Sequence, residues 1–321
     1  MSLPTMTALT LRPAEAPTLY FIGVTTGSSS IQNVFPVWAD LLGLEGARLQ
    51  GIDMPVHAPV EAYRAVVDFI KRDPLSLGAL VTTHKIDLFR AASDLFDYID
   101  PFATMMGETS CLSKTEAGLS CHAKDPISSG LALDALIPAD HWERTDGQLF
   151  SMGAGGSTIA ITWYLSQLSM GANRPQSIVV SNRSPSRLDH LREIHRGLDT
   201  DTTFEYELAP EASDNDRIMQ SLAPGSLVIN ATGLGKDAPG SPLTDVASFP
   251  DAGLVWELNY RGELVFLDQA RAQHDRLTRI EDGWIYFLHG WTQVIGEVFH
   301  TAIPTSGASF DELSHSARAA R

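Results

Sequence analysis

The stretch Gly147-Gln-Leu-Phe-Ser-Met-Gly-Ala-Gly-Gly-Ser-Thr-Ile-Ala-Ile-Thr-Trp-Tyr-Leu165 decides the fold. Leu149, Phe150 and Met152 form a short apolar run suited to a buried parallel strand. The run breaks at Gly153, Gly155 and Gly156 and resumes with helical apolar spacing. Strand, glycine turn and helix follow in that order. Such a turn lets the backbone approach a pyrophosphate, and the amides and dipole of the helix N-terminus stabilise its negative charge. The third glycine of a G-x-G-x-x-G pattern would fall at Thr158, so a tight turn without a ligand is the competing explanation for this stretch alone.

Outward from that turn, strand and helix patterns alternate. Toward the C-terminus come a strand Ser177–Ser181, a helix Ser186–Arg196, strands at Ser226–Thr232 and Leu254–Leu258, and a helix Phe266–Gln273. Such alternation predicts a parallel sheet covered on both faces. Toward the N-terminus, Leu19–Val24 reads as a buried strand followed by a polar turn and a helix Asn33–Leu42. A strand Arg48–Ile52, a helix Val60–Lys71, a strand Gly78–Thr82 and a helix Leu88–Leu95 come next. Thr109–Leu112 and Leu119–His122 pair as a hairpin, and Asp125 leads into a helix through Leu131, Leu133 and Leu136. Ile285–Thr301 is a last, aromatic-rich helix, Pro304–Arg321 reads as a polar tail, and the N-terminal arm is expected to be mobile.

The chain has 321 residues, enough for two domains with separate cores. Its 39 acidic against 23 basic residues give a formal net charge of -16, which argues against broad nucleic-acid binding. No secretory signal and no apolar run of membrane-spanning length is evident, so a cytoplasmic protein without membrane partners is expected. Cys111 and Cys121 flank the hairpin turn and are expected to be free thiols. Two cysteines without clustered histidines make a poor zinc site, and no metal is expected.

Three groups of residues carry chemistry. At the end of the second strand of a dinucleotide fold, an acid would accept hydrogen bonds from a free ribose 2′-hydroxyl. Here Ser181-Asn182-Arg183-Ser184 is followed by Arg187, and two cations there attract a 2′-phosphate, favouring NADP over NAD. Lys85 ends the run Val81-Thr82-Thr83-His84-Lys85 at the C-terminal end of a predicted strand, where parallel sheets place their ligand crevices. A lysine there can donate a proton to a substrate oxygen, and Asp125 is its candidate partner.

The whole pattern, from about Leu19 to Phe299, resembles the shikimate dehydrogenase family. The family's Val-Thr-x-Pro-x-Lys segment is matched by Val81-Thr-Thr-His-Lys85, without the proline and one residue shorter. Its Gly-Ala-Gly-Gly turn is Gly153-Ala154-Gly155-Gly156, and its Asn-Arg-Thr motif is Asn182-Arg183-Ser184. Its Ile-Asn-Ala-Thr-x-x-Gly segment is Ile229-Asn-Ala-Thr-Gly-Leu-Gly235. Its Asp-x-x-Tyr becomes Glu257-Leu-Asn-Tyr260, and its final Asp-Gly is Asp282-Gly283.

The resemblance implies an α/β protein of two domains with the active site in the cleft between them. An N-terminal α/β substrate-binding domain would span 1–130 and 283–321, with flexible termini, and a Rossmann NADP-binding domain would span 131–282. The implied activity is reversible hydride transfer between NADPH and the ring carbonyl of 3-dehydroshikimate or a related cyclic hydroxy acid such as quinate or aminoshikimate. Lys85 and Asp125 fall on the family's catalytic pair. The implied cofactor contacts are Gly153, Ala154, Gly155, Gly156, Ser157, Asn182, Arg183, Ser184, Arg187, Asn230, Thr232, Gly233 and Leu258. The implied substrate contacts are Ser28, Ser30, Thr82, Ser110, Tyr260 and Gln293. The partner is then a small carboxylated cyclic alcohol, and the protein a monomer or homodimer.

The departures gather around the substrate. Ser28 and Ser30 align with the family's Ser-x-Ser only through a deletion. Ser110 and Cys111 stand for an Asn-Thr pair, and Ala123 and Lys124 for the Asn-Thr before the aspartate. Gly290 falls where a glutamine is expected, with Gln293 one turn later. A site built to bond hydroxyls discriminates against ligands that leave its polar groups unpaired, so losing two amides should change ligand preference. Trp284, Tyr286 and Trp291 either narrow the pocket or pack the core. The alternative function is a non-catalytic NADP(H)-binding regulatory homologue.

Overall fold

The computed structural model describes residues 5–236 and 238–320. The chain divides into two compact units, one running to Lys124 and resuming at Gly290, the other Asp125–His289.

The first unit holds a seven-stranded mixed sheet of β1 (Met6–Thr7), β2 (Thr18–Gly23), β3 (Arg48–Asp53), β4 (Ser76–Val81), β5 (Tyr98–Ile99), β6 (Cys111–Thr115) and β7 (Gly118–His122), in the order β1-β3-β2-β4-β6-β7-β5. β1, β3, β2 and β4 are parallel, β6 runs antiparallel to β4, and β7 runs antiparallel to β6. β2 is buried along its whole length, which is why its sequence reads as an apolar run rather than an alternation. Tyr20 and Ile22 pack with Ile52, Val81 and the helix Val60–Arg72 through Tyr63, Val66 and Ile70. Phe21, on the opposite face, meets Trp291 edge to face at 5.0 Å.

The hairpin register pairs Cys111 with His122 and Leu112 with Cys121. Because side chains alternate faces, the two cysteines point to opposite sides of the sheet. Both are free and buried, and burial pushes the Cys121 thiol up to about 12.

Both ends of the chain carry secondary structure among the described residues. Met6 and Thr7 pair with Ile52 and Asp53 as an edge strand. The supposed polar tail contains a helix, Ala308–Ala320. Phe310, Leu313 and Ala317 lie on one face of it and are buried, and Trp38 Nε1 of the helix Ile31–Leu41 donates to the Leu313 carbonyl at 2.9 Å. A stripe of three apolar side chains among thirteen residues is enough once a partner helix is present.

The second unit contains β8 (Leu149–Met152), β9 (Ser177–Asn182), β10 (Thr203–Leu208), β11 (Leu227–Asn230), β12 (Gly253–Glu257) and β13 (Leu277–Glu281), all parallel, in the order β10-β9-β8-β11-β12-β13. Numbered within the unit this is 3-2-1-4-5-6, the dinucleotide-binding order. The four inner strands are the ones legible as apolar runs. β10 and β13 are largely exposed edges with charged residues interleaved, and their sequences do not stand out. The helix Asp125–Leu136 begins at Asp125 itself and packs with the helix Gly156–Leu165. The close approach is allowed by Gly130, where a Cβ would lie 2.4 Å from the Tyr164 ring.

Candidate functional site

The order of strands reverses between β8 and β11, and open parallel sheets bind ligands at such a switch point, beyond the carboxyl ends of the strands. Gly153 leaves β8 at φ +108°, a conformation closed to other residues. A Cβ there would lie 2.5 Å from the Ala231 carbonyl after β11. Its amide donates to the Ser181 carbonyl of β9 at 2.8 Å. Ala154 is buried, Gly155 precedes the first turn of the helix, and Gly156 and Ser157 begin it. A Cβ on Gly155 would meet nothing within 4 Å, so the space over the turn is open. Thr158, in place of a third glycine, is fully buried and its hydroxyl donates to the Gly153 carbonyl at 2.7 Å. The departure from the glycine pattern therefore braces the turn.

Asn182 ends β9, and its side-chain oxygen accepts from the Ser184 amide at 2.8 Å, shaping the loop that presents Arg183. Arg183 and Arg187 are exposed, and neither takes an acidic partner among the described residues. After β11, Asn230 accepts from the amide and hydroxyl of Thr232 at 3.1 and 2.7 Å, and Gly233 turns the chain at φ +79°. The Leu258 amide donates to the Asn230 carbonyl at 3.1 Å. The predicted cofactor residues therefore converge on the carboxyl ends of β8, β9, β11 and β12.

Beneath them lies Glu257, fully buried at the end of β12. Its carboxylate accepts from Asn230 Nδ2 at 2.7 Å, and from the Asn259 amide and Nδ2 at 2.8 and 2.7 Å. Burial raises its pKa to about 7 against the opposing effect of those donors and of Lys236. Tyr260, a predicted substrate contact, packs against Trp284 and Phe287 at 5.8 and 4.5 Å.

Asp125 opens its helix and is buried. The Tyr286 hydroxyl lies 3.4 Å from Asp125 Oδ2 and 3.2 Å from Ser157 Oγ. Trp284 and Trp291 are core residues, whereas Tyr286 is half-buried and polar in its contacts. Periodicity places all three aromatics on one helix and cannot separate these roles.

In the first unit, β4 ends at Val81. Thr82, half-buried, donates its amide to the Ile22 carbonyl at 3.0 Å. Thr83 turns the chain at φ +60°, and Lys85 is the first residue of the helix Lys85–Ala92 rather than the end of a strand. Its carbonyl accepts from the Thr109 amide at 3.2 Å, tying it to the segment that carries Ser110. Ser28 lies exposed in the turn after β2 and bonds the Thr25 carbonyl, while Ser30 precedes the helix Ile31–Leu41. Gln293 is half-buried on the last long helix, and a Cβ on Gly290 would meet nothing within 4 Å.

Ser110 and Lys124 are joined directly: Ser110 Oγ accepts the Lys124 amide at 2.6 Å. The Lys124 ammonium bonds Glu297 Oε2 at 2.5 Å, and Glu297 and Asp100 lie 3.4 and 3.3 Å from the two ring nitrogens of His122. Lys124, which stands where the resemblance expects a threonine, is thus part of a charged cluster. The sequence names Lys124 as a substitution but gives no sign of its partner, 173 positions away. No group of three or more His, Cys, Asp or Glu among the described residues is placed to hold a metal ion, and no helix there is long and apolar enough to cross a membrane.

An α/β chain of two units, the second with six parallel strands in Rossmann order and a glycine turn at the switch point, defines the class. The fold matches that of shikimate 5-dehydrogenase from Thermus thermophilus, solved with NADP(H) and shikimate, with a TM-score of 0.68 over 95% of this chain and 99% of that one at 20% identity. Quinate dehydrogenase from Corynebacterium glutamicum, solved with NAD, gives a TM-score of 0.69 over 95% and 99% at 17% identity. In sequence the chain is 27% identical over 178 residues to a shikimate dehydrogenase (NADP+) of Lactococcus lactis, covering 55% of this chain and 59% of that protein. It is 25% identical over 223 residues to one from Paramagnetospirillum magneticum, covering 70% and 71%. The match to the Lactococcus protein thus spans about three-fifths of its length. No protein-family model matches. The chain is thus similar in sequence to shikimate dehydrogenases and shares the fold of shikimate and quinate dehydrogenases.

Proposed function

We propose that the chain is an NADP-dependent dehydrogenase that interconverts a ring carbonyl and a secondary alcohol on a carboxylated cyclic substrate. 3-Dehydroshikimate, quinate and aminoshikimate are the candidates. The observation that carries the reading is the open glycine turn at the switch point, with Arg183 and Arg187 unpartnered by acids on the neighbouring loop.

The residues present fit a dinucleotide. The amides of Gly155, Gly156 and Ser157 at the helix N-terminus would hold the pyrophosphate. Arg183, with Arg187 beside it, would hold a 2′-phosphate, which a carboxylate at that place would repel. When bound, the nicotinamide supplies or accepts the hydride. Lys85 and Asp125 handle the proton at the substrate oxygen, the lysine donating as a carbonyl is reduced and recovering the proton in the reverse direction. Ser28, Ser30, Thr82, Ser110, Tyr260 and Gln293 are the proposed substrate contacts. The bond from the Lys124 amide to Ser110 and the open space at Gly290 favour an analogue whose hydroxyl pattern differs from shikimate.

The test is NADP+ reduction followed by absorbance with shikimate, quinate and amino-substituted ring acids, with NAD+ in parallel. Turnover on at least one acid with NADP+ preferred is the expected result. Silence across the panel despite tight NADP+ binding would instead support a non-catalytic NADP(H)-binding protein.

A further inference from the structure

Tyr286 belongs to none of the motifs above, yet its hydroxyl is within reach of two residues with different duties. Asp125 Oδ2 is 3.4 Å away and Ser157 Oγ 3.2 Å. Ser157 is the second residue of the helix that opens at the glycine turn, and Asp125 is the first residue of another helix in the same unit. The tyrosine ring is fixed by an edge-to-face contact with Trp256 of β12 at 5.6 Å. A half-buried phenol held by its ring, with its oxygen between a carboxylate and a hydroxyl, is more than packing.

We propose that Tyr286 is a positioning residue that couples occupancy of the glycine turn to the placement of the Asp125 carboxylate. The inference rests on the proposed function, since it takes Asp125 as a proton-handling group and Ser157 as a phosphate contact. A phenol has one proton to donate. With the turn empty, Tyr286 is shared between the Asp125 carboxylate and Ser157. A dinucleotide phosphate accepting from Ser157 uses that hydroxyl's proton and leaves its oxygen the better acceptor, so the Tyr286 proton turns to Ser157, the shorter of its two contacts. The Asp125 carboxylate, 3.4 Å from the phenol, is thereby released to face the substrate. The carboxylate is set for substrate only after the cofactor is in place, and by linkage each ligand tightens the other.

Tyr286→Phe keeps the ring against Trp256 and deletes the hydroxyl. In the wild type, the Kd of the turned-over ring acid, measured by calorimetry, is expected to fall several-fold when NADP+ is saturating. In Tyr286→Phe that ratio should approach one, because Asp125 is released with or without the cofactor, and kcat and the Kd for NADP+ alone should change little. Ser157→Ala should also abolish the synergy, and adding Tyr286→Phe to it should cost little more. The thermal midpoint of Tyr286→Phe reports folding independently. A folded Tyr286→Phe protein with wild-type synergy overturns the coupling while leaving the dehydrogenase reading intact. A wild type that turns over no ring acid overturns both.

Discussion

The Thr158 hydroxyl donates to the Gly153 carbonyl at 2.7 Å, bracing the turn from the position where a third glycine would stand. Thr158 is fully buried, and its Oγ1 is also 3.3 Å from Ser151 Oγ in β8. Thr158→Val preserves shape and removes the donor, leaving a buried carbonyl without that bond. It should lower the unfolding free energy by about 1–3 kcal/mol in urea titrations. It should also weaken NADP+ binding several-fold, whereas Thr158→Ser retains both. Unchanged affinity in the valine variant would mean that the turn does not depend on this bond.

The inner strands of both sheets, the glycine turn and the Asn182–Arg183 loop were legible because each is encoded within ten or so adjacent residues: apolar runs, glycines, a loop between periodic segments. What escaped the sequence is long-range or hidden by composition. The helix Ala308–Ala320 is polar on most of its surface and gains its stability from Trp38 and its neighbours far upstream. The pairing of Lys124 with Glu297 requires the last long helix to return to the β6–β7 hairpin, which the Ser113 hydroxyl records by donating to the Glu297 carbonyl at 3.1 Å. Thr158 read as a lapse in the motif because periodicity carries no information on which hydroxyl meets which carbonyl. At the site, the candidate positions were legible from the resemblance, but the contacts of Tyr286 and Glu257 were not.

Arg183 and Arg187 carry the proposed cofactor preference. Both are exposed without acidic partners among the described residues, so their removal leaves no buried charge behind. Arg183→Ala with Arg187→Ala should raise the Kd for NADP+ at least roughly 30-fold, as expected for loss of charge-assisted bonds to a phosphate. The Kd for NAD+ should change by less than about 3-fold, because NAD+ lacks the group they would hold. Calorimetric titration of both nucleotides at two salt concentrations checks this. Equal losses for both would remove the assignment to the 2′-phosphate.

Lys124 and Glu297 form a mostly buried ion pair, with side-chain exposures of 12% and 28%. Burial pushes the Glu297 carboxyl up, but the Lys124 hydrogen bond and the charges of His122, Lys124 and His300 together hold it below the ordinary carboxylate value. Its contribution is thus present above that ordinary value and lost as pH falls. Lys124→Met should cost about 2 kcal/mol at neutral pH, less than for a fully buried pair because Glu297 keeps some contact with solvent. The double variant Lys124→Met, Glu297→Leu should recover much of the loss. Urea unfolding of the three proteins is the measurement, and additive losses in the double variant would show that the two side chains act separately.

Glu257 gives a pH dependence of the opposite sign. Burial raises its pKa from 4.5 to about 7, with the donors from Asn259 and Asn230 opposing. A carboxyl raised in the folded state contributes stability that is fully present below its unfolded value and is lost as pH rises through the folded one. The window is therefore about pH 4.5 to 7. Between pH 5.5 and 8.5 the wild type should lose roughly 2 kcal/mol of stability through this group alone. Glu257→Gln cannot ionise. Its amide must also turn a donor toward Asn230 or Asn259, which lowers stability by an amount independent of pH. Unfolding free energies of the two proteins, plotted against pH, should therefore converge as pH rises from 5.5 to 8.5, with every other titrating group cancelling in the difference. Parallel curves would mean that Glu257 stays ionised across the range, its three donors outweighing burial.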